Sequence, residues 1–101
     1  FDVRFLPNPH WDEALRPLSG LDQPVSDFVL QQPLAIEFVD KIDSLFGMLL
    51  PAYRAEGKSY LTVTIGCTGG RHRSVVIAEQ LKSWLIQSGQ NPRVTHRDIS
   101  R

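Results

Sequence analysis

From Leu34 to Tyr53 apolar residues return every three or four positions, at Ala35, Phe38, Val39, Ile42, Leu45, Phe46, Leu49 and Tyr53, while Glu37, Asp40, Lys41 and Asp43 take the other side. That period predicts an amphipathic helix. Pro51 falls within it, and its ring would meet the carbonyl of Gly47, so a kink or an early end is expected there, with Gly57 closing the segment. A second helix is predicted over Ser74 to Ser88, with Ile77, Ala78, Leu81, Trp84 and Leu85 on its apolar side and Gly89 as its stop. Elsewhere the period drops to two. Ser59 to Gly66 sets Leu61, Val63 and Ile65 against Tyr60, Thr62 and Thr64, and Asp2 to Leu6 alternates until Pro7-Asn8-Pro9 stops it. Pro92 to Asp98 reads as a third strand, and Pro17 to Pro33 as a long loop with one short helical turn over Val25 to Leu30.

Strands and helices in alternation with short joints predict an α/β fold: a small, mostly parallel sheet with flanking helices, built from right-handed crossovers. Ligands of such sheets gather beyond the carboxyl ends of the strands, which here are residues 7 to 11 and 66 to 74. The 101 residues, 42% hydrophobic and 22% charged, suit one compact domain. The chain opens at Phe1 in a strand-like run without an initiator methionine or signal-peptide pattern, which predicts a piece of a longer protein with a partner domain before it. No apolar stretch reaches the ~20 residues of a membrane span. A single cysteine leaves no internal disulfide, in keeping with a reducing, cytoplasmic setting.

The net charge is zero, but its distribution is uneven. Residues 1–57 hold four basic side chains against nine acids, whereas residues 71–101 hold six against Glu79 and Asp98. A basic C-terminal third suits a polyanion such as RNA. It adjoins Gly66-Cys67-Thr68-Gly69-Gly70-Arg71-His72-Arg73-Ser74, a glycine-rich turn that leads from a predicted strand into a predicted helix. Glycines let main-chain N–H groups converge on an oxyanion, and the helix N-terminus adds roughly half a positive charge. The segment is therefore read as a phosphate cradle. It is not a Walker A loop, since no lysine is present in it, and His10, His72, His96 and Cys67 lack metal-ligand spacing.

A second chemistry competes for the same residues. Cys67, Gly70, Arg73 and Ser74 fit CxxGxxRS, which resembles the signature loop of cysteine-dependent phosphatases, where a thiolate attacks phosphorus while an arginine holds the phosphate. Gly66 replaces the histidine usual before that cysteine, and Trp11-Asp12 is a poor match for the aspartate general acid.

Three longer motifs point elsewhere. Asp2-Val3-Arg4-Phe5-Leu6-Pro7-Asn8-Pro9-His10-Trp11, Leu15-Arg16-Pro17-Leu18-Ser19-Gly20-Leu21-Asp22 and Ile65-Gly66-Cys67-Thr68-Gly69-Gly70-Arg71-His72-Arg73-Ser74-Val75 together resemble the C-terminal domain of the bacterial RapZ (YvcJ-like) family of RNase adapter proteins. The resemblance implies a cytoplasmic two-domain protein whose N-terminal P-loop domain binds ATP or GTP, and whose C-terminal domain is a non-catalytic, oligomeric sensing module without a cofactor of its own. It further implies binding of small regulatory RNA and of a phosphorylated amino sugar of the glucosamine-6-phosphate type, and presentation of RNA to an endoribonuclease. Carried onto this chain, Asp2, Arg4, His10, Cys67, Thr68, Gly69, Gly70, Arg71, His72, Arg73 and Ser74 form the ligand pocket. Arg4, His10, Arg16, Arg71 and Arg73 meet RNA phosphates, and Arg93, Arg97 and Arg101 add electrostatic grip.

Overall fold

The computed structural model describes residues 1–58 and 60–100. After a 3-10 turn, Pro9–Trp11, come three helices: α1 (Gln23–Leu30), α2 (Pro33–Ala55) and α3 (Arg73–Gln87). Asn8 starts the 3-10 turn by accepting the His10 amide on its side chain at 3.1 Å. Pro24 and Pro33 stand in the first turns of α1 and α2, where a missing N–H costs no hydrogen bond. Both long helices close in the same way. Lys58 N bonds Tyr53 O (3.0 Å) and Gly57 N bonds Arg54 O (3.1 Å) after α2, while Gln90 N bonds Leu85 O (2.9 Å) and Gly89 N bonds Ile86 O (3.1 Å) after α3.

One part of the core joins Val3, Leu6 and Leu15 to Val25 and Val29 of α1, Ala35 of α2, and Val76 and Ile77 of α3. Burial of each Val or Ile is worth about 1.5–3 kcal/mol, so this cluster anchors the N-terminal segment under the start of α3. A second cluster, Ile42, Phe46 and Leu81, ties α2 to α3, with Leu49, Leu50, Trp84 and Leu85 packed on it. The α2 members of this cluster all precede Pro51, and the helix runs through the proline to Ala55 instead of ending there.

The sheet expected from the alternating runs does not form. Among the described residues there is one isolated parallel bridge, Asp2 with Gly66, supported by Val3 N to Gly66 O and Gly66 N to Phe1 O, each 2.8 Å. Its extension fails for a local reason. Leu6 N turns back to Val3 O, and Arg73 draws in the carbonyls of Arg4 and Leu6, so the first segment leaves its neighbour after a single pairing. From Tyr60 to Ile65 the chain forms no strand and is poorly covered, with Tyr60 77% and Leu61 39% exposed; Ser59, the expected first residue of that run, lies outside the described residues. The third run bends into a turn over residues 97–100 and lies on the glycine loop rather than beside another strand.

Candidate anion-binding site

The loop that leads from residues 60–65 into α3 turns at two adjacent glycines, Gly69 (φ +81°) and Gly70 (φ +73°). Two successive left-handed residues turn the chain back on itself, a shape that other residues reach only at a cost of about 1 kcal/mol or more each. The turn wraps the Cys67 thiol. Sγ shares a 3.2 Å hydrogen bond with Ser74 Oγ and accepts the Ser74 amide at 3.3 Å. Burial pushes this thiol up, but the Ser74 hydroxyl and amide, the Gly70 amide and the Arg73 charge outweigh it and hold the thiol below its ordinary value. A place that favours S⁻ by main-chain amides and a nearby cation favours an oxyanion by the same physics. Among the described residues the amides of Thr68, Gly69, Arg71 and His72 have no hydrogen-bond acceptor.

The three basic residues of the loop are committed to the protein. Arg73 is 4% exposed, and its Nη1 donates to Arg4 O (2.9 Å) and Leu6 O (3.0 Å), while its Nε is buried with no partner among the described residues. It is a buried cation beneath the loop whose field reaches both Cys67 and Asp2. Arg71 reaches across two elements, Nε to Ile99 O and Nη2 to Pro17 O, both 3.1 Å. His72, 6% exposed, has Nε2 2.8 Å from Leu18 O, a contact with a carbonyl that makes Nε2 the protonated nitrogen. Gly20 is the seam of this arrangement. Its amide bonds Arg71 O at 2.8 Å, and a Cβ there would lie 2.6 Å from His72 O and from Val75 Cβ.

The other expected site residues are spread around this centre. Asp2 and Arg4 form a bidentate, exposed pair (Nη2–Oδ2 2.6 Å), and hydrogen bonds from the Arg4 side chain and amide draw the Asp2 carboxyl down to about 2. The bridge to Gly66 sets this pair at the start of the loop. His10 is exposed on the 3-10 turn, edge-on to Trp11 at 5.3 Å, and no hydrogen bond among the described residues joins it to the loop. Arg16 stays with that turn through Nε to His10 O (2.7 Å). Arg93 and Arg97 are exposed, Arg97 pairing with Asp98 at 3.1 Å; Arg101 lies outside the described residues. A cleft of about 330 Å³ opens elsewhere, lined by Leu30, Ile36, Val39, Asp40, Asp43 and Gln80, and its two carboxylates oppose an anion. Burial and the neighbouring Asp40 push Asp43 up. Among the described residues no group of three potential ligands could hold a metal ion, and no described helix is long and apolar enough to cross a membrane.

Sequence reasoning gave no site role to Gly20, Leu18 or Asp98, although the first two stand in the Leu15–Asp22 motif. Periodicity is silent on Gly20 and on the Leu18 carbonyl, because both act through close backbone approach; Asp98 carried a signal, being one of two acids in the basic third.

Comparison with known proteins agrees with the motifs. Residues 1–100 match the profile of the RapZ C-terminal domain. The chain is 56% identical over 100 residues to a nucleotide-binding protein of Parafrankia sp., covering 99% of this chain and 35% of that protein. It is 55% identical to a nucleotide-binding protein of Corynebacterium jeikeium (99% and 34%), and 54% identical to one of Rhodospirillum centenum (100% and 30%). The chain spans about a third of the length of these curated relatives.

Proposed function

The chain belongs to the RapZ C-terminal domain family, and on that footing we propose that it is a non-catalytic sensing module that binds a phosphorylated amino sugar, of the glucosamine-6-phosphate type, and small regulatory RNA. The carrying observation is the loop that wraps Cys67, where amides and a buried guanidinium favour negative charge. The phosphate is held by main-chain N–H groups of Thr68, Gly69, Arg71 and His72, and the Arg71, His72 and Arg73 side chains act by fixing the shape and potential of the loop. Asp2 and Arg4 border the start of the loop. Exposed Arg16, Arg93 and Arg97 supply contacts to RNA phosphates. The module acts as an oligomer in the cytoplasm and presents RNA to an endoribonuclease, and ATP or GTP belongs to a separate P-loop domain.

The test is calorimetric titration of the intact protein with glucosamine-6-phosphate and with RNA, at one fixed salt concentration. Gly69→Ala, which meets no neighbour but forces a side chain to φ +81°, weakens the sugar phosphate. Arg16→Ala weakens RNA and leaves the sugar phosphate unchanged. Unchanged binding of both ligands by both variants would end this reading.

The lowered thiol favours one alternative, phosphoryl transfer by Cys67. That chemistry needs the arginine to grip the phosphate, whereas the Arg73 Nη1 is taken up by two carbonyls. Steady hydrolysis of a chromogenic phosphate ester, abolished by Cys67→Ser, would replace the binding module with an enzyme.

A further inference from the structure

The segment after Pro92 lies across the glycine loop and is fastened at both ends. His96 Nε2 meets Glu79 Oε2 of α3 at 2.9 Å, with the His96 side chain 14% exposed. Beyond it, Ile99 O accepts Arg71 Nε at 3.1 Å. Between these anchors Asp98 presses on Gly70: a Cβ on that glycine would stand 2.9 Å from Asp98 Cβ and 3.3 Å from its Oδ2. The Asp98 side chain is 17% exposed, while Arg97, paired to its Oδ2, is 86% exposed. The carboxylate thus faces the loop and the guanidinium faces solvent.

We propose that residues 96–99 are a strap laid over the loop, seated on Gly70 through Asp98, and that a phosphate entering the loop beside the Asp98 carboxylate displaces it. The proposal rests on the reading of the loop as an oxyanion receptacle. Like charges within a few ångströms at a half-buried surface repel strongly, so phosphate and the Asp98 carboxylate do not share the loop. Their exchange makes occupancy of the loop and position of the strap a single equilibrium. Opening releases Arg97 from Asp98 and Arg71 Nε from Ile99, so the strap couples the ligand to two cations of the basic third.

The experiment is titration of the intact protein with inorganic phosphate at fixed ionic strength, for the unaltered protein, Asp98→Asn and Glu79→Gln. Asp98→Asn removes the negative charge beside the loop and binds phosphate about tenfold tighter, the scale of one relieved like-charge contact at a part-exposed site. Glu79→Gln leaves the loop intact but weakens the hydrogen bond to His96 at the far anchor, tightening binding about threefold, the scale of one part-exposed hydrogen bond. Binding by Asp98→Asn alone is the same result in stronger form. If the unaltered protein binds phosphate and Asp98→Asn binds no tighter, the strap is wrong while the loop reading stands. If none of the three proteins binds phosphate, both are wrong.

Discussion

Replacing Arg73 by alanine separates two roles that this residue could have. The structure makes it a pin: Nη1 bonds the carbonyls of Arg4 and Leu6 at 2.9 and 3.0 Å in a site where the residue is 4% exposed. A hydrogen bond from a charged donor is worth about 1.5–3 kcal/mol, and each buried carbonyl left without a donor costs about 1–3 kcal/mol. These overlap, because water can enter the vacated space, so Arg73→Ala is expected to destabilise the protein by about 3–5 kcal/mol. That is a large share of the ~5–15 kcal/mol that holds a domain folded. Arg73→Lys keeps the charge but replaces a rigid fork by a point donor, and is expected to lose about half as much. Urea unfolding followed by circular dichroism reads both, provided the slope of the transition is unchanged. A loss below about 1 kcal/mol in Arg73→Ala, accompanied by complete loss of phosphate binding, would show that Arg73 is a ligand-gripping hand and that its two carbonyl bonds matter little.

Three further outcomes follow from the same geometry. Gly20→Ala places a methyl 2.6 Å from the His72 carbonyl and from Val75 Cβ, backbone and α3 core that cannot swing aside, and should cost about 1–3 kcal/mol in the same unfolding assay. Ser74→Ala removes a hydrogen bond that favours the thiolate, so the midpoint of a pH profile of Cys67 alkylation should move upward; no movement would remove Ser74 from control of the thiol. The Asp2 carboxyl, drawn down to about 2 by Arg4, is lower folded than unfolded, so the stability it supplies is complete above the ordinary carboxylate range and fades as pH falls toward 2. A carboxyl NMR titration of Asp2 should show the low midpoint, and 1 M salt should raise it, since the pair is exposed.

Helices α2 and α3 were legible in the sequence because each shows one stripe to the core, whereas α1 (Gln23–Leu30) was read as a single short turn over Val25 to Leu30 within a loop. Their stops at Gly57 and Gly89 were legible as well, and the structure closes both helices there. The early end expected at Pro51 does not occur: α2 continues to Ala55, and ahead of the proline Phe46, Leu49 and Leu50 pack with Leu81, Trp84 and Leu85 of α3. The sheet misled more deeply. Alternation at Tyr60–Ile65 and Asp2–Leu6 states which faces are apolar, but a ladder also needs partners, and those are decided by tertiary hydrogen bonds such as Arg73 to the Arg4 and Leu6 carbonyls. In the loop, sequence named the glycines and the basic residues together. It did not reveal that Arg71, His72 and Arg73 spend donors on Ile99, Leu18 and Arg4, because those contacts span 28 to 69 residues of chain.

The central claim is that the main-chain amides of Thr68, Gly69, Arg71 and His72 receive an oxyanion. The most direct test is a nitrogen-15 NMR titration of the intact protein with glucosamine-6-phosphate, matched in ionic strength by sodium chloride. The account predicts saturable shifts concentrated on the amides of Thr68, Gly69, Gly70, Arg71 and His72, with α2 unaffected. Binding that leaves those amides unmoved, or shifts that chloride alone reproduces, would contradict it.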